Sequence, residues 1–408
     1  MSGLGGEEAR KFVAKRVQGI RASEIRELLK LTEGRDVISF AGGLPDPETF
    51  PKEELAEVAR EVILQRGEQA LQYSPTKGVT EFRRVLQGFL RDNNVKVTVD
   101  DDVIVTTGSQ EALYLVGKSL VDPGDVVFTE SPTYLAALNV FRQFGARFIS
   151  APIDEDGMKT EILEERVKKA AAEGLRLKLI YTIPTSQNPG GVTMSLERRK
   201  HLLEIAERYD LLVVEDDPYS FFTFEPVDVV PLKTLDKSGR VIYLGSLSKI
   251  LAPGLRIGWA LGPSWAITTL ELAKQAVDLH SSTLSQYVAM EAIRRGLVEK
   301  TVGKARRIYK AKRDMMLEAM EEYFPEGSSW TRPVGGLFIF AYAPEGIDTK
   351  ALLPEAVERG VAYVPGASFF PEGGGENTMR LNFSYPTPVQ IREGIRRLGL
   401  LLKEKAGR

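Results

Sequence analysis

Five short apolar runs, each followed by an amphipathic stretch, organise the middle of the chain. The first, DVIVTTG (102–108), is rich in β-branched residues and leads into SQEALYLVGKSL, which has helical spacing. VVFTESP (126–132) repeats the strand pattern before YLAALNVFRQFG. KLIYTIP (178–184) precedes SLERRKHLLEIAERYD (195–210), where Leu202, Leu203, Ala206 and Tyr209 make an apolar stripe. That stripe predicts a helix capped by Ser195, with Arg198 and Arg199 facing solvent. LLVVEDD (211–217) and RVIYLGSLS (240–248) complete the series, with no cue for an antiparallel hairpin between them. Unbroken apolar strands separated by amphipathic helices predict a mainly parallel sheet covered on both faces. Ligands of such sheets bind beyond the carboxyl ends of the strands.

Past about residue 284 the texture changes. A long helical stretch (298–324) is followed by the shorter segments GLFIFAYAP, TKALLPEAVERG, VAYVPG and TMRLNFS, then a helix from about Thr387. The expectation is an α/β protein in three parts. Residues 1–45 form an arm and a cleft-bordering helix ending at SFAGGLPD. Residues 46–284 form a large domain, and 285–408 a long helix with a smaller α+β domain. A chain of 408 residues exceeds what one core usually organises. PEGGGEN (371–377) reads as a loop.

Composition narrows the chemistry. With no Cys, a disulfide framework, a thiolate metal site and a cysteine nucleophile are excluded together. His201 and His280 are the only histidines, too few for a histidine-rich metal site, so no metal is expected. A net charge of −2 gives no general drive toward nucleic acid or membranes, and the basic run KARRIYKAKR (304–313) reads as a solvated helix face. No stretch approaches 18 uninterrupted apolar residues and the N-terminus lacks an apolar leader, so a cytoplasmic protein is expected. Plentiful Glu, Lys and Arg match a thermophile-type composition.

The strand ends carry the unusual residues. Gly108, Ser109 and Gln110 open a helix whose free N–H groups suit a phosphate. Tyr134 follows the second strand, Asn188 stands before Pro189-Gly190-Gly191, and adjacent acids end the fourth strand in EDDPY. Such acids need a cationic counterpart. Asp216 and Tyr219 flank a proline turn. Lys249 follows the fifth strand between Ser246, Ser248 and Arg256. Arg380 interrupts the apolar TMRLNFS, and a buried arginine needs an anion. One ligand matches this set: pyridoxal 5'-phosphate, with an aldehyde for a lysine, a ring nitrogen for a carboxylate and a phosphate for N–H groups and a guanidinium.

The ordered segments TGSQ, SPTY, NPGG, DDPY and SLSK, followed by Arg256, resemble the fold-type I pyridoxal-phosphate aminotransferases. The nearest group is the 2-aminoadipate, kynurenine and multisubstrate aromatic enzymes. The resemblance covers nearly the whole chain, including SFAGGLPD, LQYSPTKG and MRLNFS. It implies a mainly parallel sheet of the seven-stranded type and a homodimer with shared sites. It further implies that Lys249 is the Schiff-base lysine and proton shuttle, that Asp216 pairs with the ring nitrogen, and that Asn188 and Tyr219 hydrogen-bond the phenolic oxygen. By the same resemblance Tyr134 stacks on the ring, and Ser109, Gln110, Ser246, Ser248, Arg256 and Tyr73 of a neighbouring subunit hold the phosphate. Arg380 clamps the substrate α-carboxylate beside Gly43 and Asn188, and Arg26, in IRASEIRELLKL, reads a distal carboxylate. The implied reaction is ping-pong transfer of an amino group from an amino acid to the 2-oxo acid 2-oxoglutarate. A β-lyase or decarboxylase on the same fold is the alternative. A regulator is disfavoured, since some 35 residues before SFAGGLPD are too few for a DNA-binding domain.

Overall fold

The computed structural model describes residues 10–14, 36–227 and 229–407. A two-residue strand β1 (Ile38–Ser39) enters first. The main sheet is built from β2 (Asp101–Thr106), β3 (Val126–Ser131), β4 (Arg147–Asp154), β5 (Gly157–Met158), β6 (Leu177–Thr182), β7 (Leu212–Asp216), β8 (Val241–Ser246) and β9 (Gly258–Pro263). Their order is β2-β9-β8-β7-β6-β3-β4-β5. Seven strands of useful length are present, as expected, and two-residue β5 adds an edge. The pairs β4–β3, β3–β6, β6–β7 and β7–β8 are parallel. β9 runs antiparallel between β8 and β2, so β2 points the same way as β8.

The continuous apolar character of these strands reflects burial on both faces. Val127, Leu179, Val214 and Ile242 belong to one core, and the alternate residues Val126, Ile180, Val213 and Val241 to a second core with Leu202 and Ile205. The helix 109–120 begins and ends where its spacing indicated, and the helix of the apolar stripe spans Leu196–Arg208. Ser195 occupies its N-cap without a side-chain cap bond. One expectation fails here: Arg199 is fully buried, not solvated. Its guanidinium donates to the carbonyls of Met194, Pro184 and Val230 and to Thr185 Oγ1. A residue facing one core through the helix and another loop at its tip is invisible to a simple helical stripe.

The long helix Leu297–Tyr323 leads to a second, antiparallel sheet of β10 (Ser329–Trp330), β11 (Phe338–Tyr342), β13 (Val364–Pro365) and β14 (Thr378–Asn382), in the order β10-β11-β14-β13. β12 (Val361–Ala362) instead pairs with β1. The chain closes with a helix over Pro388–Ala406, and Thr387 and Gln390 form a reciprocal capping box at its start. Segment 40–46 is pinned between the parts. Phe40 O accepts from Asn382 N, Tyr309 Oη accepts from Asp46 N, and buried Lys312 pairs with Asp46 at 2.6 Å. Among the described residues no helix is long and apolar enough to cross a membrane.

Candidate active site

Because β2, β3, β6, β7 and β8 share one direction, the residues following them meet at one edge of the sheet. A cavity of about 350 Å3 opens there, bounded across the gap by Phe338 and Arg380 of the antiparallel sheet. Every candidate site residue named from the sequence lines it except Gly108, Tyr73 and Arg26. Arg26 lies outside the described residues. Tyr73 is 78% exposed and packs edge-on against His280, 5.6 Å between centroids.

One end of the cavity is cationic and rich in hydroxyls. Gly108, at φ +74°, turns the chain into the helix 109–120, whose N-terminus has no side-chain cap. Its first N–H groups are therefore available to a ligand. β9 crosses directly behind: a Cβ on Gly258 would collide with the backbone of Gly108 and Ser109. Ser246 Oγ donates to Ser248 Oγ at 2.8 Å, and Arg256 reaches Ser248 Oγ at 3.3 Å and Thr107 O at 3.4 Å. Arg256 adopts a left-handed backbone, φ 54° and ψ 44°, a conformation unfavourable for a side chain with a Cβ. Lys249 extends from the same turn to the Gly43 carbonyl. Burial, together with the positive Arg380 and Arg256, lowers its pKa to about 8.

The opposite wall is acidic, and a cationic counterpart for these acids is present in buried Arg199, whose charge acts on Glu215 and Asp217. Asp216 and Asp217 are each 4% exposed, and neutral donors meet them. Tyr181 Oη donates to Asp216 at 2.8 Å and Tyr243 Oη to Asp217 at 2.8 Å, while Glu215 accepts the backbone N–H groups of Leu232 and Lys233. Burial pushes the Asp216 carboxyl up to about 7, against the Tyr181 hydrogen bond. Its Oδ1 has no partner among the described residues.

Asn188 joins the two walls. Its Nδ2 donates to Tyr219 Oη at 3.3 Å, and its Oδ1 accepts from Arg380 Nη1 at 2.9 Å. Arg380, 1% exposed on β14, also donates to Ala41 O and lies 4.2 Å from the Phe338 ring centroid. Among the described residues no carboxylate contacts it, and its Nε has no partner.

The model of the family "aminotransferase class I and II" matches residues 35–398. The chain belongs to that family. It is similar to the aromatic-amino-acid aminotransferase 1 of Thermococcus litoralis, 49% identical over 97% of this chain and 95% of that protein. Its structure is similar to that of the multiple substrate aminotransferase from Thermococcus profundus, with a TM-score of 0.95 and 47% identity over 98% of this chain and 99% of that one. It is likewise similar to the α-aminoadipate aminotransferase of Thermus thermophilus, solved with N-(5'-phosphopyridoxyl)-L-leucine. There the TM-score is 0.89 and the identity 40% over 98% and 99% of the two chains.

The cofactor of this aminotransferase is pyridoxal phosphate, and its site fits that group on its own terms. The orphaned Asp216 Oδ1 is a buried acceptor with no donor among the described residues, suited to a protonated ring nitrogen. The uncapped helix start, the two serines and Arg256 suit a phosphate. Lys249 lines the same cavity. Sequence reasoning missed Tyr181, Tyr243 and Phe338 in this aminotransferase. An aromatic in an apolar strand reads as packing, and only the neighbouring strand reveals the carboxylate or guanidinium it faces.

Proposed function

We propose that this aminotransferase moves the amino group of 2-aminoadipate and of aromatic and aliphatic amino acids to 2-oxoglutarate, by a ping-pong route through Lys249. Arg380 carries the reading: a guanidinium 1% exposed, without a carboxylate partner among the described residues, beside an amine of lowered pKa. A buried cation so placed is matched by the carboxylate that an amino acid and a 2-oxo acid share. Alternate binding of the two at one clamp suits a two-half reaction.

When bound, the cofactor supplies an aldehyde for amines and a protonated aromatic ring that draws electrons from the substrate. In this proposal Lys249 would supply the amine that pairs with that aldehyde and would hold or move the proton at the substrate α-carbon. Asp216 holds the proton on the ring nitrogen; an adjacent positive charge favours its ionised form against the upward push of burial. Asn188 and Tyr219 orient the phenolic oxygen, and Tyr134 covers the ring. Ser109, Gln110, Ser246, Ser248 and Arg256 hold the phosphate, with Tyr73 contributed by a second copy in a homodimer. Arg380, Asn188 and the Gly43 backbone hold the α-carboxylate, and Arg26 reads a distal carboxylate. Residues 46–284 thus serve the cofactor and 285–408 the substrate clamp. Broad side-chain tolerance is supported by the apolar Phe338, Ile183 and Leu113 in the lining, and by the differing substrates in the names of the relatives above.

The test begins with absorption. The protein should carry a visible or near-ultraviolet cofactor band that Lys249→Ala abolishes; failure to take up the cofactor sinks the proposal. A panel of amino donors against 2-oxoglutarate then ranks substrates. For Arg26→Ala, kcat/KM should fall with 2-aminoadipate and hold with leucine, and an equal fall removes the distal role.

A further inference from the structure

Lys274 is a lysine with 0% exposure on the last turn of the helix Ser264–Gln275. Lysines in the interior need partners for every proton. This one finds Glu111 Oε2 at 2.7 Å, both oxygens of Asp278 at 2.8 Å and Ser281 Oγ at 3.2 Å. Glu111 is the third residue of the helix that opens at Ser109, and the same Oε2 accepts the Thr107 N–H at 2.6 Å. Thr107 Oγ1 donates to Asp278 Oδ2 at 3.0 Å and lies 3.1 Å from Ser281 Oγ. Its carbonyl is the one that Arg256 reaches. The N–H and the hydroxyl of Thr107, the residue before the Gly108 turn, are therefore both fastened to groups that Lys274 gathers.

We propose that Lys274 is a positioning residue for the cofactor phosphate, holding the 107–109 turn through Glu111, Asp278 and Ser281. The inference rests on assigning the phosphate to Ser109, Gln110 and Arg256. Two consequences follow from the geometry. The N–H groups and hydroxyl at the helix start keep one orientation, so binding a phosphate orders little further. The cluster also has one cation against two carboxylates; without Lys274 both acids would stand uncompensated behind the seat of a dianion, repelling it. Lys274 is not among the residues that line the cavity.

The experiment strips the cofactor and titrates the apo-protein with pyridoxal phosphate and with pyridoxal, which lacks the phosphate, following absorbance. Lys274→Met should weaken pyridoxal phosphate about ten- to a hundred-fold and pyridoxal less than about three-fold. Thr107→Val keeps its N–H on Glu111 and loses the hydroxyl link. It should show the same phosphate-selective loss at about three-fold, and decides the matter should Lys274→Met not fold. Arg256→Ala is the control for the phosphate assignment. If Arg256→Ala is phosphate-selective while Lys274→Met and Thr107→Val bind both ligands as the parent does, or lose both equally, the positioning role is refuted and the assignment stands. If Arg256→Ala itself shows no selectivity, the assignment falls and takes the inference with it.

Discussion

Arg199 and Arg380 are both buried, yet one is satisfied and the other is not. Arg199 is ringed by carbonyl oxygens and a threonine hydroxyl, and its neighbours leave no room for a ligand's role. Arg380 has two acceptors, an Nε unpartnered among the described residues and an open cavity in front of it. Burial alone therefore does not mark an anion site; a buried cation that lines a cavity with a donor left unmet does. Arg380→Lys keeps the charge and loses the planar fork. Its kcat/KM should fall by about a hundred-fold for donor and acceptor alike, mostly through KM, with the cofactor band unchanged. Steady-state kinetics with both substrates checks this, and a loss confined to one of them contradicts a shared clamp. Lys249 gives a pH signature. A lysine with its ordinary pKa of about 10.4 is almost wholly charged near neutrality. With the value lowered to about 8, the neutral, condensing amine accumulates as pH rises through 8. The rate of cofactor uptake by the apo-protein should climb between about pH 7 and 9 and level off above, measured by stopped-flow absorbance. A rate still climbing steeply at about pH 10 would mean that the fold leaves this amine unperturbed.

Elements matter through where they stop. β2, β7 and β8 deliver Ser109, Asp216 and Lys249 within three residues of their last strand residue, and β9 fixes how closely the first of these turns can sit. Gly258 is needed for that approach, since any Cβ there meets the Gly108–Ser109 backbone. Gly258→Ala should displace the turn and weaken cofactor binding by about ten-fold or more while the secondary structure persists. Circular dichroism with a cofactor titration separates the two effects; unchanged binding would show that the turn yields freely. The strand-helix alternation and the residues at strand ends were readable in sequence, because period and breakers are local. β9 was not: GWALGP carries two glycines and a proline, which read as breakers, and its antiparallel direction depends on which strands stand beside it. Lys274 and Glu111 were likewise hidden, since charged residues on helices ordinarily face water.

At the scale of the whole molecule, Leu64, Leu71 and Tyr73 stand 68%, 66% and 78% exposed, and Tyr73 touches His280 beside exposed Leu279. Apolar residues left on a surface in this way suit a protein partner, which supports the proposed dimer in which Tyr73 serves the neighbouring site. Complementation tests it. Lys249→Ala and Tyr73→Ala proteins, each poor alone, should regain activity when co-expressed, because the hybrid contains one site with both residues intact. Activity of the hybrid no greater than that of its parents would place Tyr73 outside the partner's site. The sequence by itself determined the strand and helix series and singled out residues that line the cavity, including Lys249, Asp216 and Arg380. These depend on local periodicity and on residue types that are rare at the ends of buried strands. The tertiary structure alone decided what satisfies each buried charge. Among the described residues Tyr181 meets one oxygen of Asp216, backbone carbonyls and the Thr185 hydroxyl meet Arg199, and no carboxylate meets Arg380. Hydrogen-bond partners are chosen across neighbouring strands and sheets, between residues far apart in the chain, and no spacing along the chain records that choice.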